Sequence, residues 1–328
     1  MIFMKNLIWV VLLLQVITAN AQIQIGSSDN PALNRAGKIA PDDLARLKAS
    51  TTLFTLPYGD YTLQAEYEKA IKKVWTITPF KIIKPDEINQ YLGKANVSIF
   101  SFGGFMRQQQ GATSSQSNMH LLYDLYMTTP KKNGKLVTDY FARISIFPDT
   151  KTFITAVKNS NRSNSDFSGR VLNYIYNEAV IHNFNPGFLQ GYLKLVNDAL
   201  LAAEERGLFA EHEDAKALAS LKTDTLYVPD YVNIKVNAFT GQEERDDDDG
   251  SLQEAYPFPI KVVPAAELSN MIINSTRPIK YLVYTKSSTD KFINVFDSET
   301  GVMLYGRYVK LSYNFKNKDL SKLAKSIK

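Results

Sequence analysis

Short alternating apolar runs separated by apolar positions at helical spacing make this chain a mixed strand and helix sequence. Thr52 to Leu56 reads as a strand stopped by Pro57 and Gly59. Asp60 is placed to cap a helix. Leu63, Tyr67, Ala70, Ile71 and Val74 then share one face, and Glu66, Glu68, Lys69, Lys72 and Lys73 carry the charge. Phe80 to Ile83 is the next strand. Pro85 opens a helix with Asp86 and Glu87 in its first turn and Ile88, Tyr91 and Leu92 inward. Val97 to Phe102 is a third strand, ended by Gly103-Gly104. Two more strands cover Met119 to Met127 and Thr138 to Phe147, with Asn133-Gly134 as a turn signal between them.

Asn159 to Gly169 has no periodicity and reads as a connecting loop. Val171, Leu172, Ile175, Tyr176 and Ala179 then share a helical face. Asn185 caps a new helix with Pro186 in its first turn, and Leu189, Tyr192, Leu193, Val196, Ala199, Leu200 and Ala203 line one side of it. Gly207 is its expected stop. A shorter helix covers Glu211 to Leu221. Strands resume at Leu226 to Pro229 and Val232 to Phe239, then at Ile260 to Val263. A helix opened by Pro264 follows, then a strand over Ile279 to Thr285 and a hairpin from Phe292 to Tyr313.

The order of elements repeats. Thr52-Leu53-Phe54, Pro79-Phe80, Pro85 to Ile88 and the strand at Val97 are matched by Thr225-Leu226-Tyr227, Pro257-Phe258, Pro264 to Leu268 and the strand at Ile279. The alternative is two generic strand–helix–strand units with coincidental matches. The fold class expected is mixed α/β: two strand–helix–strand–helix–strand units, each followed by a β-hairpin, with a helical insert between them. The expected divisions are a signal peptide over 1–21, an N-terminal arm over 22–50, units over 51–158 and 223–328, and the insert over 159–222.

The first 21 residues carry an export signal. Lys5 supplies a positive start, Leu7 to Leu14 an apolar run, and Ala19-Asn20-Ala21 the small residues that a signal peptidase reads before Gln22. The run is too short for a membrane span, and no second long apolar run follows. No transmembrane segment is therefore expected after cleavage. Apolar residues make up 45% and charged residues 22%, a globular balance rather than a disordered one. The chain has no cysteine, which excludes thiol catalysis, thiolate metal sites and a lipid anchor on a new N-terminal cysteine.

Net charge is +5, too weak an excess for a nucleic-acid partner at this length. Lys69, Lys72 and Lys73 form the best basic cluster and read as the solvated face of a helix. Lys316, Lys318, Lys322, Lys325 and Lys328 read as a solvated basic tail.

Little in the sequence points to chemistry. The run Asp246, Asp247, Asp248 and Asp249 suits a hard cation such as Ca²⁺, but the EF-hand spacing fails, since Arg245 and Tyr256 fall on ligand positions. The alternative is a solvated acidic loop. His120, His182 and His212 lack metal-ligand spacing, and no nucleophile motif of the Gly-x-Ser-x-Gly kind occurs. Gly103, Gly104 and Arg107 form the best contact site, because glycines at the end of a strand let a ligand approach the backbone; the alternative is a flexible loop running on to Ser117. No cofactor is expected.

The signal ending Ala19-Asn20-Ala21-Gln22, the absence of cysteine and the run Trp75 to Lys81 together resemble uncharacterised exported proteins of Bacteroidetes-type bacteria. That resemblance implies an envelope location and carries no catalytic motif. The leading expectation is a non-catalytic periplasmic or secreted interaction module that binds an envelope protein or polymer. The alternatives are a hydrolase of an envelope polymer using carboxylates gathered by the fold, and a calcium-stabilised structural protein.

Overall fold

The computed structural model of the chain describes residues 22–27, 36–110, 115–159, 169–237, 240, 242–246, 249–287 and 289–327. In chain order the elements of the first half are β1 (Ile23–Ile25), α1 (Pro41–Lys48), β2 (Thr51–Thr55), α2 (Gln64–Val74), β3 (Phe80–Ile83), β4 (Val97–Gln110), β5 (Ser115–Pro130), β6 (Leu136–Ile146), α3 (Thr150–Asn159) and α4 (Gly169–Asn177). Then come α5 (Pro186–Ala202), β7 (His212–Glu213), α6 (Ala215–Leu218), β8 (Leu226–Pro229), β9 (Ile234–Val236), β10 (Glu243–Arg245), α7 (Asp249–Ala255), β11 (Ile260–Val263), α8 (Ala265–Asn274), β12 (Lys280–Ser287), β13 (Asp290–Asp297), β14 (Met303–Val309) and α9 (Asn317–Ser326). The fold is mixed α and β, as the pattern of positions implies.

Two six-stranded sheets have the same layout. One runs β3-β2-β4-β5-β6-β1 and the other β11-β8-β12-β13-β14-β7. In each, a central strand pairs in parallel with two neighbours, and an antiparallel meander follows. A short edge strand completes each sheet and precedes its first helix. The likeness reaches single residues. The Thr52 N–H donates to the Pro79 carbonyl as the Leu226 N–H does to that of Pro259. Counting outward from those bonds, the bulge at Leu125/Tyr126 falls on the same position as the bulge at Val295/Phe296. A bulge bends and twists a sheet, so its recurrence gives both sheets the same curvature. The register also corrects the sequence match: Pro79 corresponds to Pro259 rather than Pro257, and Thr52 to Leu226 rather than Thr225.

Between the sheets runs α5. The Asn185 side chain accepts from the Phe188 N–H at 2.8 Å, with Pro186 in the first turn, as the sequence predicts. Every residue from Pro186 to Leu193 is buried, so this helix is covered on all sides rather than on one. It packs against α2, α8 and β1 and joins both sheets in one continuous apolar core. It ends at Ala202, short of the expected Gly207. Ala203 takes the left-handed conformation (φ 54°), and its N–H returns to Ala199 and Leu200.

Several expectations shift. The Asp60 side chain caps no helix; a 3-10 turn over Tyr58–Leu63 precedes α2, and Asp60 accepts from the Tyr67 hydroxyl. Pro85–Gln90 is 3-10 rather than α. Glu211 to Leu221 divides into β7, α6 and a 3-10 turn. Val232 to Phe239 begins as a 3-10 turn before the three residues of β9, and Ala238 and Phe239 lie outside the described residues. Helix α3 had no counterpart in the sequence reading.

The basic C-terminal segment is no solvated tail. As α9 it buries Leu320 and Leu323, and Asp319 holds the buried ammonium of Lys291. Its apolar residues recur at helical spacing beneath the lysines. Ile23–Ile25, inside the segment read as an arm, is a fully buried strand.

Candidate functional site

The third strand does not end at Gly103-Gly104. Strand β4 continues through both glycines to Gln110 and pairs with β5 as far as Gln110↔Ser115. The neighbours drop away earlier. Strand β2 reaches only Phe100, and β6 reaches only Leu121. Beyond these points β4 and β5 form a two-stranded ribbon. The second sheet shows what is added: its corresponding hairpin closes at Ser287↔Asp290, which matches Phe105↔His120. Five further pairs, Met106↔Met119 to Gln110↔Ser115, belong to the first sheet alone.

The two glycines sit at the base of this ribbon for separate reasons. Gly104 has a φ of 154°, which L side chains rarely adopt. A Cβ on Gly103 would lie 3.0 Å from the Asp124 carboxylate, so glycine here makes room for a neighbouring side chain. Residues 105–110 and 115–117 of the expected flexible loop are thus paired strand, and 111–114 lie outside the described residues. Arg107 lies on the ribbon opposite Asn118; its side chain is outside the described part of the structure. At the base, Phe105 and His120 stack at 4.6 Å, and His120 lies 3.4 Å from the Ser287 hydroxyl at the end of the second sheet's hairpin.

Beside Gly103 lies a group the sequence reading missed. Asp124 and Arg143 face each other across β5 and β6, with Asp124 Oδ1 3.8 Å from Arg143 Nε. They are 5% and 3% exposed, which makes a desolvated charge pair. The guanidinium lies 3.8 Å over the Tyr140 ring. None of its three nitrogens has a hydrogen-bond partner among the described residues, nor does Asp124 Oδ1. Burial pushes the Asp124 carboxyl up to about 7, and Arg143 offsets this only partly. The corresponding residues of the second sheet are Asn294 and Gly306, both uncharged. The signal was present in the sequence: one charged residue inside each of two apolar strand runs, Leu121 to Met127 and Phe141 to Ile146.

The acidic run is only partly described. Arg245 pairs with Asp230 at 2.9 Å, and the Glu243 carboxylate accepts from the Thr150 N–H at 2.8 Å. Asp246 is exposed. Asp247 and Asp248 lie outside the described residues. Asp249 begins α7, with its side chain outside them too. Among the described residues no group of three or more His, Asp or Glu side chains is arranged to hold a metal ion. The histidines stand apart. His182 packs on Phe147 and Tyr231, and burial lowers its pKa. Burial likewise lowers that of His212 in β7.

No helix of the described residues is long and apolar enough to cross a membrane. Family models, curated proteins and solved structures hold no match to this chain.

Proposed function

We propose that the protein is a non-catalytic recognition module that works outside the inner membrane, periplasmic or secreted, and binds an envelope protein or polymer through the β4–β5 ribbon. The observation that carries this reading is the ribbon's extra length. The second sheet has the same hairpin without it, so the fold does not require the extension. The outer edges of a two-stranded ribbon carry backbone donors and acceptors open to another strand. Residues 106 to 119 include one charged residue, Arg107, and no proline. Charge and proline are the usual guards that keep other strands off an edge. Gln, Ser and Asn dominate here instead, which suits polar contacts to protein or glycan.

Excision tests this. Residues 106–119 are replaced by Asn-Gly, a turn that closes a hairpin after Phe105↔His120 as in the second sheet. The shortened protein loses one core side chain, Met119, and should still unfold cooperatively with a melting temperature lower by roughly 5–10 °C. Cross-linking in its own cell envelope should capture a partner with the parent and not with the shortened form. Equal capture by both forms, or recovery of both as free monomers, counts against the ribbon as the contact element.

A further inference from the structure

The lysines of α2 have a more specific setting than a solvated helix face. Ala65, Glu68, Lys69 and Lys72 recur at helical spacing on the side of α2 that flanks β3. With Phe80, Lys81 and Ile82 of β3 they line an open cleft of about 650 Å³. Phe80 and Ile82 are half-buried and form its apolar floor, and Ala65, Lys72 and Lys81 are exposed. Three lysines and one glutamate line the cleft, and the Glu68 carboxylate already accepts from Gln64. Lys69 donates to Asn274 of α8, which fixes one ammonium at the wall.

The backbone of β3 completes the site. This strand is the edge of its sheet and pairs only with β2 among the described residues. In a parallel ladder, alternate residues point both backbone groups at the same neighbour. The Pro79 carbonyl accepts from Thr52, which sets the phase. Lys81 therefore serves the ladder, and the N–H and C=O groups of Phe80 and Ile82 point away from β2, toward the open side. A lysine on an edge strand ordinarily repels other strands. That repulsion is selective: it disfavours neutral and basic strands and favours an acidic one.

We propose that this cleft binds an extended acidic peptide segment of a partner protein, added as a strand beside β3 with its apolar side chains over Phe80 and Ile82 and its carboxylates on the face of Lys81. The site is separate from the ribbon and does not depend on the ribbon's role. Backbone pairing would supply affinity, the apolar floor would take alternate side chains, and the lysines would set the choice of charge.

The probe is a fluorescent peptide of roughly eight residues, a strand's length, alternating Glu and Val. Binding to the full mature chain is followed by anisotropy. Saturable binding is expected, absent for the Lys-Val counterpart and weakened by added salt. Methylating alternate backbone nitrogens of the peptide should weaken it about tenfold or more, because it removes the strand pairing but not the charge. The Lys72→Glu/Lys81→Glu protein should lose a similar factor. So should Ala65→Trp, which fills the cleft from an exposed helix position, with thermal melts confirming that both variants fold. Absence of saturable binding overturns the proposal. Equal binding of the methylated peptide, or undiminished binding to Ala65→Trp, does so too. A dimer in sedimentation that Lys81→Glu dissolves would assign the cleft to the acidic run of a second copy instead of a partner protein.

Discussion

Replacing Gly187 by valine is expected to destabilise the protein by about 3 kcal/mol or more, the upper range for overpacking. A Cβ at this position would lie 2.7 Å from the Ser269 Cα and 2.8 Å from its carbonyl oxygen, with Ile272 Cβ at 3.1 Å. The first two are backbone atoms of α8 and cannot turn aside as a side chain can. Helices α5 and α8 would have to separate, and the bond from the Gly187 N–H to the Ser269 hydroxyl, 3.0 Å long, would open. Valine would also reach Ile272. Alanine's better helix propensity is worth about 1 kcal/mol over glycine, too little to offset a backbone clash. A melting temperature lower by roughly 10 °C is the expected reading. Gly207→Ala is the control, because nothing lies within 4 Å of its Cβ and its φ is ordinary. It should change stability by less than about 0.5 kcal/mol. If Gly187→Val melts with the parent, the close approach of α5 to α8 does not exist in solution.

The consequence is large because of where α5 sits. Its next glycine, Gly191, leaves room for the Tyr281 hydroxyl and the Phe296 ring of the second sheet. Tyr192 meets the same Phe296, and the Asn197 side chain accepts from the Thr76 and Ile77 N–H groups after α2. One helix thus ties both sheets to a shared core. Loosening its contact with α8 should be felt beyond that seam, as a lower unfolding cooperativity as well as a lower midpoint.

The start of α5 was legible because its signals are local: Asn185, Pro186 and an apolar run. Its end was not, because a left-handed Ala203 closes it where glycine was expected. Local signals also located β2, β3, β8 and β11 to within a residue or so. Burial beneath charge was harder to read. The lysines of α9 are more conspicuous in sequence than Leu320 and Leu323, which dock the helix.

Gly103-Gly104 looked like a strand end because glycine usually weakens a strand. Here a side chain on the neighbouring strand needs the space. The repeat was visible in its element order but not in its register, since the match of Pro79 to Pro259 depends on hydrogen bonds. Asp124 and Arg143 were missed because neither strand gives the residue it will face. Only the pairing of β5 with β6 brings the two charges together.

That pair should contribute a pH-dependent part of the stability. An unfolded aspartate titrates near 3.9, roughly, whereas the folded Asp124 carboxyl is pushed up to about 7 by burial, with Arg143 opposing. The folded chain therefore holds this proton more tightly than the unfolded chain. Its contribution is full below about pH 4, declines as pH rises, and is lost above about pH 7. The separation corresponds to on the order of 4 kcal/mol across that window.

Buried His182 and His212 work in the opposite direction, since their lowered pKa values favour the folded chain as pH rises, and they are common to parent and variant. Urea unfolding should therefore show the change in stability from pH 5 to pH 8 to be less favourable in the parent than in Asp124→Asn. The polar residues on that face are the buried Gln24, opposite Arg143 on β1; Ser101, opposite Asp124 on β4 and bonded to the Tyr126 hydroxyl; and Tyr140 beneath the guanidinium. Burial pushes the Tyr126 phenol up, away from the window. At pH 8 Arg143→Met should cost about 3–5 kcal/mol, because it leaves a buried carboxylate with no cation. Asp124→Asn/Arg143→Met should recover much of that loss. It discharges both positions, as Asn294 and Gly306 do in the second sheet, where Asn294 bonds Gln22 at 2.7 Å. Identical pH profiles for the parent and Asp124→Asn, or strictly additive losses in the double variant, would sink the idea that these two charges meet in a desolvated core.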